Sequence, residues 1–316
     1  MEFCSKSTSN ESFDAYFSCH LCPRNCGCDR SVRTGVCGMT DELRISRVGL
    51  HMWEEPCISG SSGSGTIFFT GCNLGCVFCQ NHEISRRLID NEKSASSSFA
   101  LPGRPYTVSE FADAMLSLQN QGANNINFVT GTHFVPHIVE GVRLARERGL
   151  TVPTLYNCGG YESVETIKML DGVIDIYLPD MKFFSSGISR KYAHTSDYFE
   201  RAKEAIAEMV RQCPDQVFDE NGLIRKGVIV RHLMLPGQLF DSKHILDYLC
   251  ETYGNSITIS LMNQYTPMPE VPEELNRPLS PEHYRSMIDH LTLLGQENAF
   301  IQEGGTVSES FIPDFE

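Results

Sequence analysis

The chain has 316 residues, and its 26 Lys and Arg against 40 Asp and Glu give a formal net charge of −14 at pH 7. This balance argues against a nucleic-acid partner, because every phosphate contact needs a cationic side chain. No apolar stretch approaches the roughly 20 residues of a membrane span, and the first 13 residues have neither the basic flank nor the apolar core of a secretory signal. We therefore expect a cytoplasmic protein of one or two domains without a membrane partner.

Cysteine is concentrated in the first quarter of the chain. Of the 13 cysteines, seven precede residue 60 and three more lie between residues 72 and 79. In a reducing compartment, such thiols bind metal more often than they pair as disulfides. We therefore expect metal binding, and we divide the chain into a Cys-rich N-terminal extension over 1–60 and a core with a C-terminal helix over 61–316.

From residue 66 onward, short apolar runs alternate with stretches of helical periodicity. The runs predict strands at 66–70, 126–129, 153–156, 174–178, 228–234 and 257–261, and a short returning strand within 298–305. Helices are predicted at 107–121, 135–148, 162–171, 189–212 and 241–253, and from Ser280 onward. The first of them opens with a capping box from Thr107 to Glu110. Six strands that alternate with helices imply a parallel α/β sheet, and they are too few for a closed eight-stranded barrel, so an open or partial barrel is predicted.

Three cysteines, Cys72, Cys76 and Cys79, directly follow the first predicted strand at the spacing C-x3-C-x2-C. Three thiolates on one loop bind three irons of a [4Fe–4S] cube and leave the fourth iron open to a chelating small molecule. A structural zinc site and an electron-transfer cluster each need a fourth ligand, which this motif does not supply. The spacing therefore predicts an iron–sulfur cluster with an open iron.

At these residues the sequence resembles the radical S-adenosylmethionine (SAM) superfamily, in which an aromatic residue commonly precedes the last cysteine, as Phe78 does here. The motifs at 19–27, 54–56, 63–69 and 79–85 are similar to those of a subfamily related to pyruvate formate-lyase-activating enzymes. The resemblance implies a partial (β/α)6 barrel, a [4Fe–4S] cluster, and SAM bound to the open iron through its amino and carboxylate groups. It also implies that one electron cleaves SAM to a 5′-deoxyadenosyl radical, which abstracts hydrogen from a substrate.

The segment after the second predicted strand resembles the family's binding site for the methionine amino group only in part. Thr130, Gly131 and Thr132 stand where the family has a Gly-Gly-Glu motif, and His133 replaces the acid. Glycine lets the backbone approach a ligand closely, and a threonine hydroxyl accepts a hydrogen bond from an ammonium group. A carbonyl or hydroxyl is therefore expected to do the work of the missing acid.

Polar residues lie on or directly after three later strands as well. Asp180 and Lys182 resemble an Asp-x-Lys element of glycyl-radical activases, although a surface ion pair has the same spacing. The resemblance suggests Arg231 as a two-donor partner for the cofactor carboxylate, with a helix-facing salt bridge as the alternative. Asn263 is expected to contact the ribose or adenine of the cofactor.

The N-terminal extension brings four further thiolates into one short segment: Cys19, Cys22, Cys26 and Cys37. A closed four-Cys zinc site and a second [4Fe–4S] cluster both fit four sulfurs, and reduced thiols without metal are the simplest alternative. Cys28 is a spare ligand. Further along, Glu54 and Glu55 point to opposite sides of an extended segment, so at most one of them faces the mouth of the barrel.

The resemblance implies a radical SAM oxidoreductase of the activating-enzyme type. We expect it to abstract hydrogen from a protein or peptide, with activation of a glycyl-radical enzyme as the specific hypothesis and a flavodoxin- or ferredoxin-type protein as electron donor. A modifier of a small molecule or peptide on the same scaffold is one alternative. A metal-binding scaffold without turnover is another.

Overall fold

The computed structural model describes residues 12–85, 101–268 and 271–302. The strands are β1 (Arg44–His51), β2 (Ser64–Phe69), β3 (Arg104–Pro105), β4 (Ile126–Val129), β5 (Thr154–Cys158), β6 (Ile176–Pro179), β7 (Val217–Phe218), β8 (Ile224–Leu233), β9 (Thr258–Met262) and β10 (Ala299–Ile301). The α-helices are α1 (Pro56–Ser59), α2 (His82–Ser85), α3 (Val108–Asn120), α4 (Val135–Glu147), α5 (Val164–Lys168), α6 (Ser186–Ala193), α7 (Tyr198–Gln212), α8 (Leu239–Tyr253) and α9 (Pro281–Leu293). Residues 1–11, for which the sequence predicts no signal, and the end of the predicted returning strand at 303–305 lie outside the described residues.

The strands form one mixed sheet in the order β10-β9-β8-β6-β5-β4-β2-β1-β3, and β7 pairs with β8. In this order, each pair of neighbouring strands from β10 through to β2 runs parallel. The six predicted strands are therefore confirmed as β2, β4, β5, β6, β8 and β9, and the returning strand as β10. Within the described residues β3 and β10 end the sheet without pairing to each other, so the sheet is open and the prediction of a partial α/β barrel is confirmed.

Strand β1 is not predicted by the sequence pattern, yet it pairs antiparallel with β2. The register shifts between Ile45 and Arg47, so apolar side chains alternate in one phase up to Ile45 and in the other from Val48. A bulge of this kind removes the regular period of two that identifies a strand. β1 lies within the predicted extension but joins the sheet of the core, and the boundary at residue 60 stays a prediction.

Two helices differ from their predictions. The predicted helix at 189–212 is wrong as a single element, because the chain turns between α6 and α7 at His194, whose φ of +55° is left-handed. The predicted helix at 162–171 is reduced to the short α5. The capping box at the start of α3 is confirmed: the Glu110 N–H donates to Thr107 Oγ1 at 3.2 Å, and the Thr107 N–H donates to Glu110 Oε2 at 2.8 Å.

The core lies between the sheet and the helices that cover it. Phe69 of β2 and Phe128 of β4 contact Phe111 of α3, each with a ring-centroid distance of 5.8 Å. Burial of such a side chain stabilises the fold by about 1.5–3 kcal/mol, and this packing fixes the two strands that lead into the site. None of the helices in the described part of the chain has the length and apolar character that crossing a membrane requires.

Candidate active site

The carboxyl ends of the parallel strands surround one cavity of about 220 Å³. Its walls come from the loop after β2 and from the ends of β4, β5, β6, β8 and β9. Parallel α/β sheets place their sites at this edge because the loops of neighbouring strands meet there. The predicted site residues that line the cavity are Cys72, Cys76, Cys79, Phe78, Thr130, Asp180, Lys182 and Arg231. Gly131, Thr132 and Asn263 are not among its lining residues.

The three cysteines lie on a loop that leaves β2 at Gly71. Gly71 has a φ of +87°, and a Cβ atom on it would lie 2.7 Å from the carbonyl oxygen of Cys37, so only glycine fits. A backbone N–H donates to Cys72 Sγ at 3.4 Å, and Ser85 Oγ lies 3.0 Å from Cys79 Sγ. Hydrogen bonds of this kind stabilise a thiolate. The loop therefore presents its sulfurs to the cavity with partners that favour the metal-binding form.

The electrostatics of the loop fit an iron–sulfur cluster. Burial raises the pKa of both Cys76 and Cys79, and Cys72 raises it further, while Lys182 acts in the opposite direction. Iron must therefore displace bound protons, and the Lys182 ammonium offsets part of the negative charge of the thiolates. Within the described residues, no three His, Cys, Asp or Glu side chains converge on a single metal ion. A cube does not require such convergence, because each thiolate binds its own iron.

Arg231 occupies the centre of the polar side of the cavity. Its Nη1 donates to Glu54 Oε2 at 3.0 Å, its Nη2 donates to Asn157 Oδ1 at 2.5 Å, and its Nε lies 3.4 Å from Asp180 Oδ1. Asp180 in turn pairs with Lys182. The side chains of Arg231, Glu54 and Asp180 are only 13%, 7% and 17% exposed, so these charges compensate one another away from bulk water. Asp180 and Lys182 therefore pair in the cavity and not on the surface, and Arg231 pairs with Glu54 and Asp180, neither of which lies on a helix.

Glu54 and Glu55 take different positions, as the alternation of side chains along an extended segment predicts. Glu54 lines the cavity and also accepts a hydrogen bond from Asn127 Nδ2 at 2.9 Å. Glu55 is buried behind it, with Oε2 4.0 Å from Arg231 Nη1. Burial raises the pKa of Glu55, against the lowering effect of Arg231. The sequence analysis did not identify Asn127 and Asn157 as site residues. Each is the single amide side chain in an otherwise mostly apolar strand, and that pattern could have indicated them.

The end of β4 is strained where it meets the cavity. Thr130 has a φ of +60°, a left-handed conformation that β-branched residues rarely adopt, and its N–H donates to the Asn157 carbonyl at 2.8 Å. Such strain concentrates at functional sites. Gly131 serves packing, because a Cβ atom there would lie 2.5 Å from Ile138 Cδ1. Thr130 is thus the residue of this segment that the structure brings to the cavity.

The two following residues face the protein interior. Thr132 Oγ1 donates to Glu162 Oε1 at 2.8 Å, and burial raises the pKa of Glu162 to about 8, against the hydrogen bonds from Thr132 and Tyr156. His133 Nε2 donates to the Thr70 carbonyl at 2.7 Å, and burial lowers the pKa of His133 to about 3. His133 is therefore a neutral interior residue, and Glu162 is a buried acid that the sequence reasoning missed.

Aromatic and amide groups complete the cavity. Phe78 packs edge-on against Phe183 at a centroid distance of 6.0 Å and shields the cysteine loop from solvent. Asn263 instead donates from Nδ2 to the Gln302 carbonyl at 3.3 Å, and its neighbour Gln264 lines the cavity. Gln80 Nε2 donates to the Gln264 carbonyl at 3.0 Å, which ties the cysteine loop to the end of β9.

The N-terminal cysteines lie together beside the cysteine loop. Cys19, Cys22 and Cys37 are buried, Cys26 is partly exposed, and every described cysteine is a free thiol. Burial raises the pKa of Cys22 to about 12 against a lowering backbone hydrogen bond, and Cys37 and Cys26 add to the rise. The spare candidate Cys28 instead donates to the Thr34 carbonyl at 3.9 Å.

Comparisons with known proteins agree with the site. The sequence model of the Radical SAM superfamily matches residues 66–249, more than half of the chain. The uncharacterized protein MJ0674 of Methanocaldococcus jannaschii is 28% identical over 279 residues, which cover 86% of this chain and 73% of that protein.

Two solved structures are similar at 14% identity. The FeFe-hydrogenase maturase HydG from Carboxydothermus hydrogenoformans has a TM-score of 0.48 over 76% of this chain, which spans 54% of the length of HydG. A domain of pyruvate-formate lyase-activating enzyme from Bacteroides vulgatus has a TM-score of 0.40 over 54% of this chain and 93% of that domain. The family match includes the cysteine loop and most of the residues that line the cavity. The chain belongs to the radical SAM superfamily.

Proposed function

We propose that this chain is an oxidoreductase of the activating-enzyme type that cleaves SAM reductively at a [4Fe–4S] cluster and abstracts hydrogen from a protein or peptide. The observation that carries the proposal is that Cys72, Cys76 and Cys79 share one cavity with the ion pairs of Arg231 and Lys182. When bound, the cluster and SAM supply a 5′-deoxyadenosyl radical. The residues of the chain hold SAM, orient the substrate and exclude water.

The ion pairs suit the polar groups of SAM. The guanidinium of Arg231 uses one N–H of each Nη for Glu54 and Asn157, so one N–H of each remains for the SAM carboxylate. Lys182 lies within electrostatic reach of the Cys76 and Cys79 sulfurs and stabilises their anionic form. The carboxylate of Asp180 accepts hydrogen bonds from the SAM amino group or ribose.

Trp53 lines the cavity while 59% exposed, and such a rim aromatic supports contact with a protein or peptide. A glycyl-radical enzyme is the specific substrate that we propose. A flavodoxin- or ferredoxin-type protein supplies the electron. A metal centre, either zinc or a second cluster, occupies Cys19, Cys22, Cys26 and Cys37, and the protein works in the cytoplasm, where thiols stay reduced.

Anaerobic reconstitution tests the proposal. The chain is loaded with iron and sulfide, treated with dithionite and SAM, and assayed for 5′-deoxyadenosine together with iron and zinc content. We expect product from the unaltered chain, at least 100-fold less from Cys76→Ala, and full activity from Cys250→Ala, whose thiol lies on α8 and not among the cavity-lining residues. An unaltered chain that holds about four irons more than Cys76→Ala and forms no 5′-deoxyadenosine would contradict the proposal.

A second step tests the substrate. Pyruvate formate-lyase is added as a glycyl-radical enzyme, and the glycyl radical is measured by electron paramagnetic resonance. A radical signal that depends on SAM and on Cys76 supports activation of a glycyl-radical enzyme. Formation of 5′-deoxyadenosine without that signal, together with hydrogen transfer from a small molecule, would move the assignment to the small-molecule modifier.

A further inference from the structure

Residues 19–38, here called the cysteine knuckle, pack directly on the loop that carries the main cluster. Arg24 of the knuckle donates from Nε to the Asn73 carbonyl at 2.8 Å and from Nη2 to the Leu74 carbonyl at 3.4 Å. The same guanidinium donates to the carbonyls of Ala193 and His194 at 3.0 and 2.7 Å. Asn73 and Leu74 lie between the first two cluster cysteines. The partly buried guanidinium of Arg24 thus joins the knuckle to the cluster loop.

A second contact joins the two sets of cysteines more closely. A Cβ atom on Gly71 would lie 2.7 Å from the carbonyl oxygen of Cys37 and 2.7 Å from Met39 Cγ. Gly71 is the residue immediately before Cys72. The main chain at Cys37 therefore touches the main chain one residue from a ligand of the main cluster, with no side chain between them.

Two of the knuckle sulfurs lie close to the same point. Cys26 Sγ and Cys37 Sγ are 3.6 and 3.5 Å from the position that a Cβ atom of Gly35 would take, so both sulfurs border that position. The Val36 N–H donates to Cys26 Sγ at 3.2 Å, like the backbone N–H that donates to Cys72 Sγ. Such hydrogen bonds stabilise thiolates that bind metal.

The knuckle thiols, like those of the cluster loop, do not converge on a single metal ion in the described residues. Four thiolates on one zinc ion, at a Zn–S distance of about 2.3 Å, lie roughly 3.8 Å from one another. In the described part of the chain no three potential ligands meet in that way, neither in the knuckle nor at Cys72, Cys76 and Cys79. A cube accepts wider spacing, because each thiolate binds a separate iron.

We propose that Cys19, Cys22, Cys26 and Cys37 hold a second [4Fe–4S] cluster that serves as the entry point for electrons; this rests on the function proposed above. The second cluster takes one electron from a reduced flavodoxin and passes that electron to the main cluster. For each SAM cleaved, the flavodoxin is oxidised by one electron and the second cluster returns to its starting state. Cys26, the partly exposed ligand, faces the donor side, and the contact between Cys37 and Gly71 faces the main cluster.

Metal content tests the site independently of turnover. The variant Cys72→Ala/Cys76→Ala/Cys79→Ala lacks the main cluster and is reconstituted anaerobically with iron, sulfide and zinc present together. We expect about four irons per chain and little zinc. Adding Cys26→Ser should remove most of this iron, whereas adding the matched control Cys28→Ala should keep it. About one zinc per chain, or no metal, in the triple variant would overturn the proposal.

A comparison of reductants tests the role in electron transfer. Dithionite is small enough to enter the cavity, whereas a flavodoxin must dock on the surface. We expect Cys26→Ser to lower 5′-deoxyadenosine formation at least 10-fold more with reduced flavodoxin than with dithionite, and Cys28→Ala to change neither rate. Equal losses of 5′-deoxyadenosine formation with both reductants would show that the knuckle has only a structural role. An unchanged rate with flavodoxin would exclude electron transfer through the second cluster. If the unaltered chain is inactive with both reductants, the proposed function fails, while the iron count still tests the second cluster.

Discussion

Replacement of Arg231 by methionine measures how far the ion pairs in the cavity depend on one another. Arg231 contacts Glu54 at 3.0 Å and Asp180 at 3.4 Å, and all three side chains are less than one-fifth exposed. Methionine removes the cation and leaves both carboxylates buried. Loss of one partner from a buried pair costs about 3–5 kcal/mol, and we expect a value near the lower end because Lys182 still compensates Asp180. With a denaturant slope of about 3 kcal/mol/M, the urea midpoint falls by about 1 M.

The assay is anaerobic urea unfolding of the full chain, followed by far-UV circular dichroism at matched iron content. Arg211 is the control, because it pairs with Glu208 and Asp171 while 58% exposed, and Arg211→Met should cost at most about 1 kcal/mol. The double variant Glu54→Gln/Arg231→Met removes a charge of each sign and should recover about half of the lost free energy. The reasoning is refuted if Arg231→Met costs no more than Arg211→Met, or if the double variant recovers nothing.

Gly71→Ala should lower the iron content at least two-fold, because its Cβ atom would lie 2.7 Å from a carbonyl oxygen. The control Gly122→Ala has a φ of +92° and open space around the added Cβ atom, so it should retain its iron. Iron and sulfide analysis of both variants measures the difference. Burial raises the pKa of Glu162 from 4.5 to about 8, so the folded chain keeps a proton that the unfolded chain releases, and stability is lost as pH rises. Between pH 6 and 8 the unaltered chain should lose about 2–3 kcal/mol more than Glu162→Gln, and equal losses in urea titrations would exclude this origin. Arg24→Lys keeps the positive charge but not the four contacts to main-chain carbonyls. Iron bound by the main cluster should therefore fall at least two-fold relative to the exposed control Arg33→Lys. Unchanged iron content would show that the Arg24 contacts are dispensable.

The parallel strands and the cysteine loop were predictable because their signals are local. An apolar run identifies a buried strand without knowledge of the strands beside it. Three thiols within eight residues lie close together however the rest of the chain folds. Asp180 and Lys182 were found for a related reason, since polar residues at the ends of apolar runs meet at one edge of a parallel sheet, whereas Arg231 was suggested by the family resemblance. Burial in the cavity then decided that they pair with one another.

The errors arose where distant contacts override local pattern. The bulge in β1 hides its period, and the left-handed His194 divides one periodic stretch into α6 and α7. The roles of Thr132 and Asn263 at the cofactor stay predictions, and the structure shows their side chains bonded to Glu162 and to the Gln302 carbonyl. Neither partner is adjacent in the chain, so no reading of neighbouring residues identifies it.

The sequence by itself determined an open parallel α/β barrel and a three-cysteine loop at the end of its first parallel strand, because period and spacing are properties of short segments. Only the tertiary structure decided that Glu54 and Asn157 bind Arg231, and that the cysteine knuckle lies against Gly71. These contacts join residues from tens to more than a hundred positions apart. They depend on how the sheet curves and on which buried charges compensate one another, and both are settled only when the whole chain packs.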